Sequence, residues 1–166
     1  MNIFFGKPLQ SKKYEVHLFI RKGFQIYQYT KKCILEYLKK KGRKKMKKIV
    51  VGGQIDKKEV AELVEKYAQG KFEIETKSDL EAAMALKNGT ADYYFGACNT
   101  GGGGALAMAI ALVGRPKTAT VSMPGKIMPE EEIREQVTSG KIAFGFTAQH
   151  KENVIPILMD ELLKLS

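Results

Sequence analysis

The stretch that decides the fold is residues 91–104, which read Ala-Asp-Tyr-Tyr-Phe-Gly-Ala-Cys-Asn-Thr-Gly-Gly-Gly-Gly. The apolar run over 91–97 predicts a buried strand, and the glycines predict a loop from Cys98 to Gly104. Small and apolar residues over 105–113 then predict a helix that ends at Gly114. That helix has no charged face, so we expect it to be buried. The stretch is one strand–loop–helix unit.

The same alternation of strand and helix continues on both sides of this unit. Further strands are predicted over 48–52, around Phe72 and Ile74 at a sheet edge, over 117–123 and over 141–148. Helices are predicted after an Asp56–Glu59 capping pair, after a Ser78–Glu81 capping box with Leu80, Ala83 and Met84 inward, from Pro129, and over 152–165. Five such units predict a single α/β domain with a doubly wound, Rossmann-like, mainly parallel sheet of five strands. Helices would cover both faces through right-handed crossovers.

Charge divides the chain into two parts. Of the 166 residues, residues 1–45 hold 13 of the 28 lysines and arginines and two acidic residues, whereas residues 46–166 hold 15 basic and 16 acidic residues. We therefore predict a basic N-terminal extension over 1–45 and the α/β domain over 46–166. The near-neutral domain is not expected to bind nucleic acid. No apolar run is long enough to span a membrane, and two distant cysteines indicate a reducing, cytoplasmic location.

Residues 1–45 have poor patterning, with one candidate strand over 14–19 and one basic helix over 29–41. A nucleic-acid arm and a solvated or disordered segment are two interpretations of their charge. We favour a third, a translated leader, because Met46 leads directly into a strand. The preceding Gly-Arg-Lys-Lys is compatible with a purine-rich ribosome-binding sequence in the gene. The intact mass of the protein from its native host tests this, and a mass that starts at Met1 would contradict it.

Ligands bind beyond the carboxyl ends of the strands in sheets of this kind. That rule selects a short set of candidate residues, one group for each strand. The candidates are Gln54 after the first strand, Ser78 after the second, Cys98, Asn99 and Thr100 with Gly101, Gly102, Gly103 and Gly104 after the third, Lys126 after the fourth, and His150 after the fifth.

The four consecutive glycines indicate an anion site. Backbone N–H groups between a strand and a helix N-terminus form a cradle for negative charge, and a simple turn does not need four glycines, because each costs chain entropy. The loop lacks the Gly-Lys-Ser/Thr ending of a nucleotide phosphate loop. No acidic residue ends the next strand to hold a ribose, so we expect no NAD, FAD or other cofactor.

The chemistry of the side chains around the loop is open at this point. Cys98 is either a buried small residue or a thiol whose pKa falls at a helix N-terminus, so that it acts as base or nucleophile. Thr100 and Asn99 would orient a ligand or satisfy loop backbone. His150 is a candidate acid or base and Lys126 a candidate partner for an anion, although both are equally compatible with exposed surface residues. No cluster of His, Cys, Asp and Glu has metal-ligand spacing.

The domain resembles the YhfU-like family, a bacterial domain of unknown function. The resemblance extends from Lys47 to Leu163 and rests on three pieces. These are Asp-Leu-Glu-Ala-Ala-Met over 79–84, Asp-Tyr-Tyr-Phe-Gly-Ala-Cys-Asn-Thr-Gly over 92–101 and Lys-Ile-Ala-Phe-Gly over 141–145. It implies no activity.

The loop alone is similar to the Cys-Gly-Thr-Gly-x-Gly loop of type B ribose-phosphate and galactose-phosphate isomerases. That resemblance implies that Cys98 moves a proton between two sugar carbons, that Thr100 positions the substrate, and that the amides of Gly101 to Gly103 hold an oxyanion. Those isomerases carry an Asp-His pair after the first strand, where this sequence has Gly-Gly-Gln at 52–54. Ring opening and phosphate capture are therefore left to His150 or Lys126.

Three functions follow from these observations. The first is an enzyme that acts on a small phosphorylated or carboxylated metabolite at residues 98–104, with sugar-phosphate isomerase-like proton transfer by Cys98. The second is a non-catalytic anion-binding or regulatory module, and the third a phosphocysteine carrier. A homodimer is also expected, since symmetric dimers are the commonest oligomers.

Overall fold

The computed structural model describes residues 46–166, and all structural statements below concern this part of the chain. The strands are β1 (Lys47–Gly53), β2 (Phe72–Thr76), β3 (Tyr93–Cys98), β4 (Thr118–Thr120), β5 (Ser122–Met123), β6 (Lys126–Ile127) and β7 (Ala143–Thr147). The helices are α1 (Lys57–Ala68), α2 (Asp79–Lys87), α3 (Gly104–Val113), α4 (Glu130–Thr138) and α5 (Lys151–Lys164). The predicted strand over 14–19 and helix over 29–41 lie outside the described residues.

Five of the strands form one parallel sheet in the order β2-β1-β3-β7-β4. The Rossmann-like α/β fold predicted from the sequence is confirmed. The predicted fourth strand over 117–123 is broken, because β4 ends at Thr120 and the chain turns into the small antiparallel pair β5–β6. The last strand inserts between β3 and β4, so that β4 lies at the sheet edge opposite β2.

Helices cover both faces of the sheet. Ile49, Val51 and Phe144 point to a core that they share with buried residues of α1, α4 and α5. Val50 and Tyr94 point to the other face, where they pack under α2 and α3. All five of these side chains have no exposed area. Their burial supplies the main stabilising free energy of the fold.

Helix α2 begins as predicted but presents a different face. Ser78 and Glu81 form the capping box. The predicted inner face was partly wrong, because Leu80 and Met84 are 52% and 47% exposed while alanines and Leu86 are buried. Small side chains there let α2 approach α3 closely. The prediction that α3 is buried on all sides was also wrong, since Met108 is 44% exposed. Leu80, Met84 and Met108 are together called the apolar face.

The start of α1 also differs from the prediction. Asp56 has a left-handed backbone (φ 51°), and its side chain makes no capping hydrogen bond. The carboxylates of Asp56 and Glu59 instead bind the Nζ atom of Lys151 at 2.7 and 2.5 Å. The predicted capping pair thus forms ion pairs that join the start of α1 to α5.

Within the described residues, no helix is long and apolar enough to cross a membrane.

Candidate functional site

The floor of the candidate site is a row of glycines. Gly52, Gly96 and Gly145 pair in register on β1, β3 and β7. The Tyr94 ring lies across the first two of them, so that a Cβ atom at Gly52 would come within 2.5 Å of the Tyr94 Cε2 atom and one at Gly96 within 2.6 Å of its Oη atom. Any larger residue would push the ring off the sheet. The sequence analysis had Gly52 among the residues after the first strand, but it did not predict this packing of glycines under the Tyr94 ring.

Tyr94 connects this floor to the helices that rise from it. Its Oη atom lies 2.7 Å from the Ala105 carbonyl oxygen and 2.9 Å from Asp79 Oδ1. Asp79 also accepts a hydrogen bond from the Gly53 amide. Burial raises the pKa of Tyr94, so the hydroxyl stays protonated and donates. This network fixes the end of β1 and the first turns of α2 and α3 relative to one another.

Cys98 ends β3 directly below the N-terminus of α3. Its side chain is only 6% exposed, and its Sγ atom lies 3.5 Å from the Thr100 hydroxyl oxygen. Burial by itself raises the pKa of the thiol. Hydrogen bonds from the Thr100 hydroxyl and from the amides of Ala105, Thr100 and Gly104 outweigh it, and the net effect lowers the pKa of Cys98 below its ordinary value. A thiolate here is stabilised by donors that are already in place.

The glycine loop packs against the neighbouring β4–β5 segment. Gly101 adopts a positive φ of 75° and leaves no room for a Cβ atom against the Ser122 carbonyl. A Cβ atom at Gly102 would lie 2.5 Å from the Thr120 hydroxyl oxygen. Gly101 and Gly102 are therefore required by the close packing of the loop on this segment, in addition to any role in the predicted anion site.

The last two glycines belong to the start of α3. The Gly103 amide donates to the Thr100 hydroxyl oxygen at 3.2 Å. Gly104 is the first residue of α3, and its amide contributes to the lowered pKa of Cys98. The loop thus directs its amides partly towards its own side chains. Asn99 and Thr100 are exposed on the same loop.

A cavity of about 520 Å³ opens beside this loop, over the ends of β1 and β2. It brings together three predicted residues, Gln54, Ser78 and Gly104. Its full lining is Gly53, Gln54, Lys57, Ser78, Asp79, Leu80, Gly104 and Met108. A Cβ atom at Gly104 would lie 3.9 Å from that of Cys98, so Gly104 separates the Cys98 side chain from the cavity. Ser78 also serves as the N-cap of α2.

Lys57 is a lining residue that the sequence analysis missed. It is the first residue of α1, where a positive charge opposes the helix dipole. A lysine in the first turn is therefore unfavourable for the helix, and that mismatch was a signal available in the sequence. Lys57 lines the cavity together with the first residues of α2 and α3, and the N-terminus of a helix also favours an anion.

Cys98, Asn99, Thr100 and Gly101–Gly103 are not among the lining residues of this cavity, and Lys126 and His150 lie apart from it. Lys126 lines a separate cavity of about 260 Å³ together with Ser122 and Glu132. His150 directly precedes α5, whose buried residues pack in the core on the opposite face of the sheet from α3. Among the described residues, no hydrogen bond joins His150 to Cys98, and no group of three or more acidic, His or Cys residues could hold a metal ion.

The fold and the site define a Rossmann-like α/β protein with a cysteine below a glycine-rich helix N-terminus. The chain belongs to the family described as "Protein of unknown function DUF2620", whose model matches residues 47–162. The uncharacterized protein YhfU of Escherichia coli strain K12 is 44% identical over 117 residues, which are 70% of this chain and 99% of that protein. The protein of the same name from Shigella flexneri gives the same values. The resemblance to the YhfU-like family is thus confirmed.

Two solved structures share the fold. A ribose 5-phosphate isomerase from Thermotoga maritima superposes with a TM-score of 0.50 at 17% identity, over 70% of this chain and 85% of that one. The type B ribose 5-phosphate isomerase of Trypanosoma cruzi gives a TM-score of 0.51 at 12% identity, over 70% and 83%. At these identities the likeness shows a common fold.

Proposed function

We propose that this protein binds a small phosphorylated or carboxylated metabolite beside residues 98–104 and transfers a proton on it, in the manner of a sugar-phosphate isomerase. The observation that carries the proposal is the Cys98 thiol, whose pKa is lowered by four hydrogen-bond donors and which lies next to Gly104, a lining residue of the 520 Å³ cavity. The fold shared with two ribose 5-phosphate isomerases supports the choice of substrate class.

The proposed reaction moves one proton between two neighbouring carbons. The Cys98 thiolate removes a proton from the carbon next to the substrate carbonyl, and the electrons of that C–H bond move to the carbonyl oxygen. The resulting enediolate carries negative charge on oxygen, which amides of the glycine loop stabilise. A proton then moves from the hydroxyl oxygen of the deprotonated carbon to the former carbonyl oxygen. The Cys98 thiol gives its proton to the former carbonyl carbon, and the C=O bond forms at the carbon that was deprotonated. No other reactant is needed.

The cavity supplies a place for the anionic group of the substrate. Lys57 gives a positive charge, and the N-termini of α2 and α3 give backbone donors. Gln54 and Ser78 add neutral hydrogen-bonding groups. The described lining contains no histidine, so we assign no residue to ring opening and propose the reaction for the open-chain form of the sugar phosphate.

The non-catalytic anion-binding module remains a second candidate, for a specific reason. Asp79 is the carboxylic acid in the lining of the cavity, and its carboxylate is already bonded to the Gly53 amide and the Tyr94 hydroxyl. A site with one free acid–base group is able to bind an anion without turning it over.

Binding and turnover of ribose 5-phosphate by wild type and Cys98→Ala separate the two candidates. A ligand at 100 times its dissociation constant adds about 2.7 kcal/mol of stability and so raises the melting temperature. We expect both proteins to show this rise and wild type alone to isomerise the sugar. Binding without turnover in wild type favours the module. If ribose 5-phosphate, inorganic phosphate and small carboxylates all leave the melting temperature unchanged, both candidates are wrong.

Adjacent lysines provide a matched test of the anion subsite. Lys57 lines the cavity, whereas Lys58 is the next residue of α1 and is exposed outside it. A hydrogen bond to a charged group contributes roughly 1.5–3 kcal/mol, so Lys57→Gln should weaken ribose 5-phosphate binding by about tenfold or more. Lys58→Gln removes the same charge and should leave the affinity unchanged. Equal losses in both variants would show a general charge effect and contradict the subsite.

A further inference from the structure

Buried polar atoms without a partner are concentrated at the end of β7. Within residues 46–166, the buried side-chain atoms that make no hydrogen bond are Thr147 Oγ1 and His150 Nδ1. Thr147 is 2% exposed. A hydroxyl in such a place loses its bonds to water and gains none, so it destabilises the fold. Valine has the same shape and would avoid that cost.

The unpaired hydroxyl lies beside the reactive thiol. Thr147 pairs in register with Cys98 on the neighbouring strand, and paired residues of parallel strands, about 4.8 Å apart, project from the same face of the sheet. The Thr147 amide donates to the Ser122 hydroxyl oxygen at 3.0 Å, which fixes the backbone at this point. Position 147 therefore holds a hydroxyl rigidly next to Cys98, on the side covered by the start of α3.

The glycine loop covers this place. The Gly101 carbonyl oxygen packs directly over Gly145, two residues before Thr147 on the same strand, and Gly101 also packs on Ser122. Glycine backbone changes conformation at low steric cost. For a ligand to reach the Thr147 hydroxyl, the loop must therefore move away from β7.

We propose that Thr147 is a binding residue of the Cys98 site, and that its hydroxyl bonds an oxygen of the metabolite that lies against the cysteine. The proposal rests on the proposed function, because it needs a ligand there. It explains why a destabilising hydroxyl is placed beside the thiol: the missing bond is supplied by the substrate. Thr100 on the loop and Thr147 on the sheet would then contact the ligand from two sides.

The test compares the same substitution at two buried threonines in the full chain. The Thr118 hydroxyl, on β4, donates to the Arg115 carbonyl oxygen at 3.2 Å, whereas that of Thr147 bonds nothing. Thr147→Val should raise the melting temperature by about 3 °C and weaken ribose 5-phosphate binding about three- to tenfold. Thr118→Val should lower the melting temperature and leave the affinity unchanged. Thr147→Ser should keep the affinity within about threefold, since it keeps the hydroxyl.

Each other outcome overturns the proposal. If Thr147→Val binds ribose 5-phosphate like wild type, Thr147 does not bind the ligand, although the proposed function stands. If Thr147→Val lowers the melting temperature as Thr118→Val does, the hydroxyl has a structural partner within the protein. If wild type itself binds no sugar phosphate, inorganic phosphate or carboxylate, the proposed function fails and this inference fails with it.

Discussion

The Thr100 hydroxyl lies 3.5 Å from the Cys98 sulfur, and its hydrogen bond lowers the pKa of that thiol. Thr100→Val removes this hydroxyl and should therefore raise the pKa of Cys98. The amides of Ala105, Thr100 and Gly104 remain as donors, so the thiolate loses one of four stabilising bonds. A hydrogen bond of this kind contributes about 1 kcal/mol, and 1.36 kcal/mol corresponds to a factor of ten in an equilibrium. The thiolate population at a pH below the pKa should therefore fall about five- to tenfold.

Alkylation by iodoacetamide measures this population, because the thiolate is the form that reacts. Mass spectrometry of the peptide that contains Cys98 separates its rate from that of Cys33. At the low-pH end of the profile, where the thiol is mostly protonated in both proteins, we expect the rate in Thr100→Val to be about five- to tenfold below that of wild type. As the pH rises above the pKa in both proteins, both thiols are ionised and the two rates should converge.

Thr100→Ser is the control, since it keeps the hydroxyl that bonds both the sulfur and the Gly103 amide. It should follow the wild-type pH profile. A Thr100→Val rate that stays low at every pH would mean that access to Cys98 has changed and its pKa has not. Unchanged rates at low pH would refute the reasoning that the hydroxyl stabilises the thiolate.

Three further predictions concern stability and assembly. Hydrogen bonds from Arg134 and Lys164 hold the pKa of Asp160 below its ordinary value. Such a carboxylate stabilises the folded protein at a pH above the ordinary pKa, and this stabilisation is lost as the pH falls through the lowered pKa of the folded state. Arg134→Gln should therefore shift the urea midpoint downward at pH 7, and the difference from wild type should shrink towards pH 3; a constant difference would exclude ion pairing as the cause. Ser78→Ala removes the N-cap of α2 and should cost about 1 kcal/mol in urea unfolding, whereas no change would mean that water replaces the cap. The apolar face is proposed as the homodimer surface, so light scattering should give twice the chain mass for wild type and the single mass for Met84→Lys; a monomeric wild type removes the proposal.

Local features of the chain were predictable because they depend on neighbours in sequence. The Ser78–Glu81 capping box formed as expected, since its bonds join residues three apart. The strand–loop–helix unit of residues 91–113 formed for the same reason, as apolar and glycine residues alternate there on the scale of one element. Cys98 was placed at a helix N-terminus by this local order, and its lowered pKa follows from the Thr100 hydroxyl and the amides of that terminus.

Predictions that required a partner from a distant part of the chain failed. Asp56 and Glu59 have capping spacing, but Lys151 binds both carboxylates, and no local rule indicates a lysine so far along the chain. The apolar positions of α2 did not reveal which side faces α3. The alanines of α2 are buried because their small side chains let α2 and α3 approach each other. The need for glycine at Gly52 and Gly96 likewise becomes clear only in the folded protein, where the Tyr94 ring lies across both strands.

The sequence by itself determined the succession of strands and helices, the parallel sheet that this succession implies, and the position of the glycine loop after Cys98. These depend on periodicity and on turn residues, which act over a few positions. The tertiary structure alone decided that the last strand lies beside β3, which sets Thr147 next to Cys98. It also brought Lys57 to the cavity and moved Lys126 and His150 away from it. Strand order and helix docking are set by how the two cores pack as a whole, and this packing carries no signature in any single segment of the chain.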